Sequence, residues 1–421
     1  MLYKAVLALI LFAVVGCQSY TEQTREIRES FTDGQFDSAL SQLESSDLKE
    51  TKRHRLVYLL EKGMILDRMN QSVLSRQSLM EADRQVDLLY RSSLVGDVAS
   101  FIYNDSASDY QGEDYEKVGI HTMLALSFLG DNKLKKARVE ARAINVRLNE
   151  INNFYKENKN TYKEDAFARF LSGLIFESLG DYNTALVDYR RALDLYEGDY
   201  SKYFGTGVPD ALVRSMWWVA SKRNNKSLLR TLEKKFPKVV SHIKYKSGYS
   251  SLIMISEVGH IARKISKSFV MVWDGKPMRF SFPALKVPGS YSWGKNGFWL
   301  DSRFVAADQV QDMNYIARRT LEDSRSRYML KMASRIVLKD QLNQQAKRNF
   351  GLIGGLAASI FGAVTETADT RSWTLFPAKF YITRTDVKPG AYSVRKSNKG
   401  RIEPAQRITL KKNQTVFLRS F

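Results

Sequence analysis

Histidine and cysteine, the side chains that most often bind metals or act as nucleophiles, are few in this chain and form no recognisable metal-binding or catalytic motif. The four histidines are His54, His121, His242 and His260, and no two have the HExxH or HxH spacing of a zinc hydrolase. The single cysteine excludes an internal disulfide framework and a cysteine-based zinc cluster. No GxSxG turn presents a nucleophilic serine. We therefore predict no metal and no cofactor, and we expect a protein that is not an enzyme.

Carboxylates leave two weaker possibilities. A pair such as Glu113 and Glu116 could cleave a glycan, because two acids across a cleft suffice for that reaction, although the sequence does not place them across one. The stretch Tyr103–Glu116 is also rich in the oxygen ligands that calcium prefers. It lacks the spacing and central glycine of an EF-hand loop. A solvated acidic loop with a helix start at Gly112 and Glu113 is the favoured interpretation.

The N-terminus carries the most specific chemical pattern. The apolar run Ala5–Val15 is typical of an export signal and is too short to span a bilayer. It leads into Val14–Cys17, which resembles a bacterial lipobox, in which the cysteine thiol is joined to diacylglycerol and the new amine is acylated. Several acyl chains anchor a protein stably. We predict a signal peptide over residues 1–16 and a lipid anchor on Cys17, and Gln18 favours the outer membrane over the inner one.

The predicted location limits which partners the net positive charge of the chain could attract. The 421 residues include 65 Lys and Arg against 45 Asp and Glu, a net charge of +20, while 44% hydrophobic residues exclude wholesale disorder. A periplasm-facing protein meets no nucleic acid, so anionic lipid, lipopolysaccharide, peptidoglycan or an acidic protein partner remains. The length predicts two folded units, residues 17–240 and 250–421.

Residues 17–240 read as helical hairpins. The segment Arg169–Leu195 resembles a tetratricopeptide repeat: Gly173 sits where two helices must approach closely, Gly180 makes the turn, and Tyr189 faces back from the second helix. Weaker copies predict about five hairpins, an α-solenoid whose concave surface would hold a partner peptide or helix. A plain helical bundle is the alternative. His121 falls on the apolar face of one such helix and reads as a core histidine.

Residues 250–421 predict a small β-sandwich or sheet with a helical insertion over about residues 309–366, which gives an α+β fold class overall. Seven strands are expected in that segment: 251–256, 268–273, 278–282, 373–384, 391–395, 407–410 and 415–419.

The insertion carries a basic ridge, defined by four cations that recur every four residues and so share one helix face: Arg327, Lys331, Arg335 and Lys339. This ridge could bind an anionic polymer, although a solvated face is the simpler interpretation. The apolar segment 351–364 is rich in Gly and Ala and is too short to span a bilayer as a helix. A buried helix or hairpin is favoured there over contact with the membrane.

Two further segments resemble a known family. One is Tyr110–Glu116 followed by Ala137–Arg142, and the other is Ala368–Pro377 with Arg384. Together they resemble an uncharacterised proteobacterial outer-membrane lipoprotein family with a tetratricopeptide-like N-terminal half. The resemblance supports the architecture and implies no activity. In the second segment we predict a structural motif in which Asp369 and Arg371 form an ion pair and Trp373 is an aromatic anchor, joining the insertion to the strand that follows.

These observations predict a lipoprotein of the outer membrane that faces the periplasm and binds an envelope protein through its helical repeats. Its role would be a scaffold or regulator in peptidoglycan synthesis, polysaccharide export or assembly of a surface appendage. The alternatives are a binding module for an anionic envelope polymer or membrane surface through the basic ridge, and, less favoured, a glycan-cleaving enzyme.

Overall fold

The computed structural model describes residues 20–93, 108–154, 161–243, 246–273, 276–288, 294–325 and 368–421 except 399, together with isolated positions between 328 and 348. The helices are α1 Tyr20–Gln23, α2 Arg25–Thr32, α3 Phe36–Glu44, α4 Asp47–Glu50, α5 Arg55–Arg68, α6 Ser72–Ser93, α7 Asp114–Gly130, α8 Leu134–Phe154, α9 Ala166–Ser178, α10 Tyr182–Leu195, α11 Ser201–Tyr203, α12 Asp210–Lys222, α13 Lys226–Lys235 and α14 Pro237–Val240. Residues 313–325 are also helical.

The helices pair as the sequence predicts. Five antiparallel pairs are present in the described residues: α2 with α3, α5 with α6, α7 with α8, α9 with α10, and α12 with α13. Each tight turn between the two helices of a pair contains one residue with a positive φ: Gly34, Asn70, Asn132, Gly180 and Asn224. Glycine and asparagine adopt this left-handed conformation most readily, so their presence ends one helix and starts the next. Pairing thus follows from local turn chemistry.

Close approach within the α9–α10 pair depends on Gly173. A Cβ at this position would overlap the ring of Tyr189, which is fully buried opposite it. The α5–α6 pair also packs closely at a glycine, since a Cβ at Gly63 would lie 2.7 Å from Leu79 Cδ2. The prediction from the sequence that Gly173 permits this approach is confirmed.

Gly173→Ala is therefore expected to lower the free energy of unfolding by about 1–3 kcal/mol, because the added methyl forces Tyr189 to move in a packed core. Gly130→Ala is the matched control, since nothing lies within 4 Å of a Cβ there. Urea titration of the two variants measures the difference. Equal stability of the two variants would show that the hairpin is looser than described.

The strands are β1 Ser250–Val258, β2 Arg263–Trp273, β3 Lys276–Lys286, β4 Gly297–Leu300, β5 Arg303–Ala306, β6 Asp308–Asp312, β7 Lys379–Val387, β8 Gly390–Asn398, β9 Arg401–Ile402, β10 Gln406–Leu410 and β11 Thr415–Ser420. One sheet has the order β11-β1-β7-β6, with β1 and β11 parallel and the other pairs antiparallel. An antiparallel sheet has the order β10-β8-β4-β5, with β9 beside β8. Strands β2 and β3 pair only with each other in the described part of the chain.

Strand β1 lies between two cores because its successive side chains point to opposite faces. Ile253 and Ile255 join the large core that also contains the helices, whereas Leu252 and Met254 pack with Phe298 of the second sheet. The first helices of three successive pairs contact the first sheet: α7 touches β11, α9 touches β6 and α12 touches β7. The result is three layers, namely helices, the mixed sheet and the antiparallel sheet. The chain is thus a mixed helical and sheet structure.

Two expectations in this half need correction. The helix expected from residue 309 begins at 313, because Asp308–Asp312 pairs with β7 as a strand. The strand expected over 373–384 begins only at Lys379. Residues 370–378, which we call the inner segment, precede it and are all buried without forming a strand up to 378. The four short strands β4, β5, β6 and β9 were not expected.

No helix in the described ranges is both long enough and apolar enough to cross a membrane.

Candidate functional site

The inner segment packs against the first helices of two pairs, α5 and α7, which an α-solenoid of such hairpins would use to line its concave surface. Trp373 and Phe376 are each at most 1% exposed, and their rings lie 4.5 Å apart in the same core as helices α5, α7 and α9. Phe376 and Trp373 lie against the backbone of Gly119 in α7. The chain itself therefore fills the position that a partner peptide was expected to take.

Glu61 of α5 binds the backbone of the inner segment. Its Oε1 accepts hydrogen bonds from the Thr374 N–H and hydroxyl, both at 2.7 Å, and from the Tyr20 hydroxyl at 2.9 Å. Its Oε2 accepts one from the Leu375 N–H at 3.1 Å. Burial raises the pKa of this carboxyl, while the donors around it lower that pKa. Irregular buried backbone needs such partners, because its N–H groups have no strand neighbour.

Glu116 of α7 also binds the backbone of the inner segment, at Trp373, one residue before the Thr374 N–H that Glu61 binds. It accepts the Trp373 N–H at 2.7 Å and the Tyr110 hydroxyl at 2.6 Å, and it caps α7 reciprocally with Glu113. The helix start expected at Gly112 and Glu113 is confirmed. Burial and the neighbouring Glu113 raise the pKa of Glu116 to about 7. Since Glu116 is 1% exposed and its oxygens accept hydrogen bonds from donors of this chain, the pair with Glu113 has a structural role and not the geometry of a glycan-cleaving site.

The predicted structural motif Asp369, Arg371 and Trp373 lies at the start of the inner segment. Arg371 forms an ion pair with Asp369 at 2.7 Å and donates to the carbonyl oxygens of Arg53 and Ser108, both at 2.8 Å. Trp373 is buried two residues later. The structure brings Asp369 and Arg371 together, and the two carbonyl contacts of Arg371 run to the N-terminal helical half.

Two buried ion pairs fasten the sheet to the helices. Arg384 of β7 makes a bidentate pair with Glu177 of α9 at 2.8 and 2.9 Å, and both side chains are at most 2% exposed. Arg419 of β11 makes a bidentate pair with Asp67 of α5 at 2.7 and 2.8 Å. The carboxylate partners hold the pKa of both arginines above the usual value despite burial. The sequence did not single out Glu61 or Arg419, and Arg384 was named only within the family resemblance, with no role assigned to it. Glu61 stands out as an acid in an apolar helix.

His121 joins three consecutive helices. Its Nδ1 lies 3.0 Å from Glu140 Oε2 and its Nε2 lies 3.2 Å from Asp83 Oδ1, while Arg147 also binds Asp83 at 2.8 Å. Burial opposes the charged imidazole, but hydrogen bonds to Asp83 and Glu140 raise the pKa of His121 to about 9. The histidine is buried as expected, and it is a charged bridge where an apolar neighbourhood was expected.

We expect His121→Gln to destabilise the protein by the order of 3 kcal/mol more at pH 6 than at pH 10. A pKa raised by folding stabilises the folded state fully below the unfolded value of 6.5, and this contribution is lost as pH rises through about 9. Free energies of unfolding at the two pH values measure it, with the exposed His242→Gln as control. A pH-independent difference for His121→Gln would contradict the charged bridge.

The second helices of the repeats face away from the sheet and expose apolar side chains. Val139 of α8 is 60% exposed, and Val187 of α10, at the corresponding sixth position of its helix, is 65% exposed. Other large apolar residues exposed on these helices and on α6 are Val73, Leu74, Met80, Leu88, Tyr90 and Val146. We call this set the outer apolar surface.

A cleft of about 200 Å³ lies between α2, residues 260–263 and the inner segment. Its lining includes Arg25, Arg28 and Arg263, but also Glu29 and Asp33. Charges of both signs do not select an anion or a cation. No group of three potential metal ligands is found among the residues that the structure describes.

Several predicted sites lie outside the described residues. These are the lipid attachment site Cys17, the apolar segment 351–364, and the basic ridge Arg327, Lys331, Arg335 and Lys339. Of the predicted acidic loop, residues 103–107 also lie outside, while Asp114 and Glu116 are buried, so these two acids are not solvated as expected.

No protein-family model and no curated protein matches the chain. Among solved structures, one of MamA aligns at 15% identity over 52% of this chain and 90% of that one, with a TM-score of 0.31. The apo form of RapI aligns at 14% identity over 58% of this chain and 60% of that one, with a TM-score of 0.38. A Rap protein complexed with competence and sporulation factor aligns at 15% identity over 57% and 58%, with a TM-score of 0.32. These likenesses are weak, and the repeat-like character of the helices rests on the five pairs themselves.

Proposed function

We propose that the chain is an outer-membrane lipoprotein, anchored through Cys17 and facing the periplasm, that acts as a protein-binding scaffold or regulator in cell-envelope assembly. Peptidoglycan synthesis, polysaccharide export and assembly of a surface appendage are the processes in which such a scaffold would serve. The mechanism is tethered recognition, in which the lipid fixes the location and the repeats select a partner.

The outer apolar surface is the observation that carries this proposal. The inner face of the repeats holds the inner segment and the mixed sheet, which leaves the second helices as the accessible part of the repeats. Val139 and Val187 recur at the same position of successive hairpins. Apolar side chains exposed at the same position of successive hairpins are of the kind that a protein partner buries. We therefore propose that the partner binds the outer face of the repeats, and not the concave face that the sequence suggested.

Photocrosslinking in cells tests the partner. A photoreactive phenylalanine analogue is placed at Val139 and at Val187, and the matched control carries it at Ile402, which is 51% exposed on strand β9. We expect a discrete envelope protein to be captured from the two helix positions and not from position 402. The variant Val139→Glu with Val187→Glu, crosslinked from Val146, should lose that capture while keeping its unfolding midpoint. Equal capture from all positions, or capture unaffected by the two glutamates, would refute the outer surface as the binding site.

Metabolic labelling with radioactive palmitate tests the anchor separately. The wild-type chain should carry label and sediment with outer membranes, and Cys17→Ser should lose the label and no longer sediment with outer membranes. Label retained in Cys17→Ser, or none in the wild type, would remove the lipoprotein from the proposal.

The basic ridge supports a second proposal, binding of an anionic envelope polymer. Four cations on one helix face would give binding that weakens steeply with salt, whereas recognition through apolar contacts resists salt. Changing the four ridge residues to glutamate and measuring binding to peptidoglycan at 50 and 300 mM salt distinguishes the two proposals. A partner captured equally by the ridge variant supports the scaffold.

A further inference from the structure

Three successive hairpins carry a cation at the same position of their second helix. Each cation stands ten residues after the positive-φ residue of its turn. We call these exposed residues the outer cations: Arg142 of α8, Arg190 of α10 and Lys234 of α13. The hairpin before them, α5–α6, has Met80 at this position. The repeated cation therefore belongs to the last three hairpins.

Stacking of the hairpins places the outer cations on one side of the repeats. Helix α8 packs against α9 of the next hairpin, and α10 packs against α12 of the one after. Equivalent positions of stacked repeats follow one another along the stack. Val139 and Val187 precede Arg142 and Arg190 by three residues, so each valine shares the helix face of its cation. Apolar and cationic side chains are thus exposed together on this side.

The outer cations are not neutralised by the fold. In the part of the chain that the structure describes, none of the three forms an ion pair. The cations that directly follow two of them do: Arg191 pairs with Glu164 at 3.3 Å, and Lys235 pairs with Glu197 at 2.6 Å. Carboxylates of the chain therefore satisfy the neighbouring cations and leave the outer cations available to a partner.

The second helices of these hairpins are basic as a group. Together α8, α10 and α13 contain eleven Lys or Arg and five Asp or Glu. Two of the five acids, Glu140 and Asp188, are buried within their hairpins, where they bind His121 and Arg169. The exposed charge of this side is therefore positive, which is complementary to an acidic partner.

The valines beside the cations indicate which kind of anion fits. Val139 and Val187 are 60% and 65% exposed. A sugar or phosphate polymer has no apolar groups with which to cover them. A polypeptide with acidic and apolar side chains satisfies both features, because its carboxylates pair with the outer cations while its apolar side chains exclude water from the valines. The combination favours a protein segment as the occupant.

We propose that the second helices bind an acidic segment of a protein partner. Its carboxylates pair with Arg142, Arg190 and Lys234, and its apolar side chains cover Val139 and Val187. The proposal deepens the proposed function, on which it rests for the presence of a partner in the cell, by naming the chemistry of that partner. Attraction between the charges speeds association, and the apolar contacts hold the complex together.

Fluorescence anisotropy with two labelled polypeptides tests the chemistry of this surface. The probes are a random copolymer of glutamate and tyrosine and a polyglutamate of the same length, each titrated with the full mature chain carrying Cys17→Ser. The outer-cation variant is Arg142→Gln with Arg190→Gln and Lys234→Gln. Its matched control makes the same change of charge at three exposed cations in or next to β9 and β10, by Arg401→Gln, Arg407→Gln and Lys411→Gln. Because all six side chains are exposed, neither variant should lose its fold, which the unfolding midpoint verifies.

We expect the copolymer to bind more tightly than polyglutamate, the outer-cation variant to bind the copolymer about tenfold more weakly, and the control to bind it nearly unchanged. Val139→Ser with Val187→Ser should abolish the preference for the copolymer. Equal losses in the two charge variants would overturn the proposal, because only net charge would then matter, as would an absence of copolymer binding. Tight binding of polyglutamate that the valine change leaves unaffected would also overturn it, since the surface would then take any polyanion.

Crosslinking in cells separates this proposal from the proposed function. A photoreactive analogue at Val187 should capture a partner peptide that contains more Asp and Glu than Lys and Arg, and the outer-cation variant should lose this capture while the control keeps it. A captured peptide without an acidic excess, unaffected by the outer-cation variant, would overturn the acidic segment and leave the scaffold standing. Absence of any captured partner would remove the scaffold, while the copolymer titration still decides the chemistry of the surface.

Discussion

Glu61→Ala is expected to lower the free energy of unfolding by about 4 kcal/mol or more, enough to unfold a marginally stable chain. Four hydrogen bonds end on this carboxylate, from the Tyr20 hydroxyl, the Thr374 N–H and hydroxyl, and the Leu375 N–H. All four donors lie in the buried core, where water cannot replace the lost acceptor. Chemical denaturation followed by circular dichroism measures the change.

Glu61→Gln is the informative comparison. Three of the four donors bind Oε1, which the amide oxygen can replace, and only the Leu375 N–H would face the amide nitrogen. We therefore expect a clearly smaller loss for glutamine than for alanine. Glu81→Ala, on the exposed face of α6, is the control for removing a carboxylate from a helix. If Glu61→Ala were no more harmful than Glu81→Ala, the carboxylate would not hold the inner segment.

Arg384→Met should cost about 3–5 kcal/mol of unfolding free energy, because it leaves the Glu177 carboxylate buried without its cation. Arg384 joins α9 through Glu177, α12 through Ser215 and β1 through Ser251. Glu177 also accepts the hydroxyl of Tyr189 at 2.6 Å, and Tyr189 is the ring against which Gly173 packs. The pair thus connects the tightest hairpin to the sheet.

A double-mutant cycle separates the pair from its surroundings. Adding Glu177→Gln to Arg384→Met removes the unpaired charge, so the double variant should be more stable than Arg384→Met alone. The exposed pair of Arg84 and Glu81 gives the reference cycle, with an expected coupling below about 1 kcal/mol. Additive losses at Arg384 and Glu177 would mean that the ion pair does not fasten the sheet to the helices.

Features encoded within a few residues could be predicted from the sequence. The five helical pairs follow from apolar spacing and from glycine or asparagine at each turn, and the start of α7 follows from Glu113 and Glu116. Strands with a run of apolar residues, such as Leu252–Ile255 in β1, were also found. Strand β6 was missed because Asp308–Asp312 is short and polar and becomes a strand only by pairing with β7.

Which segment covers the inner face of the helices could not be predicted from local sequence. Amphipathic hairpins require that face to be covered, but they do not say by what. The inner segment that covers it is separated from Glu61 by more than 300 positions in the sequence, as the Thr374 contact shows. Its irregular backbone has no periodic pattern, so Trp373 was assigned to a strand. The ion pair of Arg371 and Asp369 could be predicted, because the two residues are only two positions apart in the sequence.

Hydrogen exchange at the backbone amides of Trp373, Thr374 and Leu375 tests most directly whether the chain fills its own repeat groove. These amides donate to Glu116 and Glu61 inside the core, although they belong to no helix or strand. We predict that the three amides exchange only with global unfolding, at the rate of the most protected amides in α9. Exchange as fast as at Ser302, in the exposed turn between β4 and β5, would contradict this account and return the concave face to an external partner.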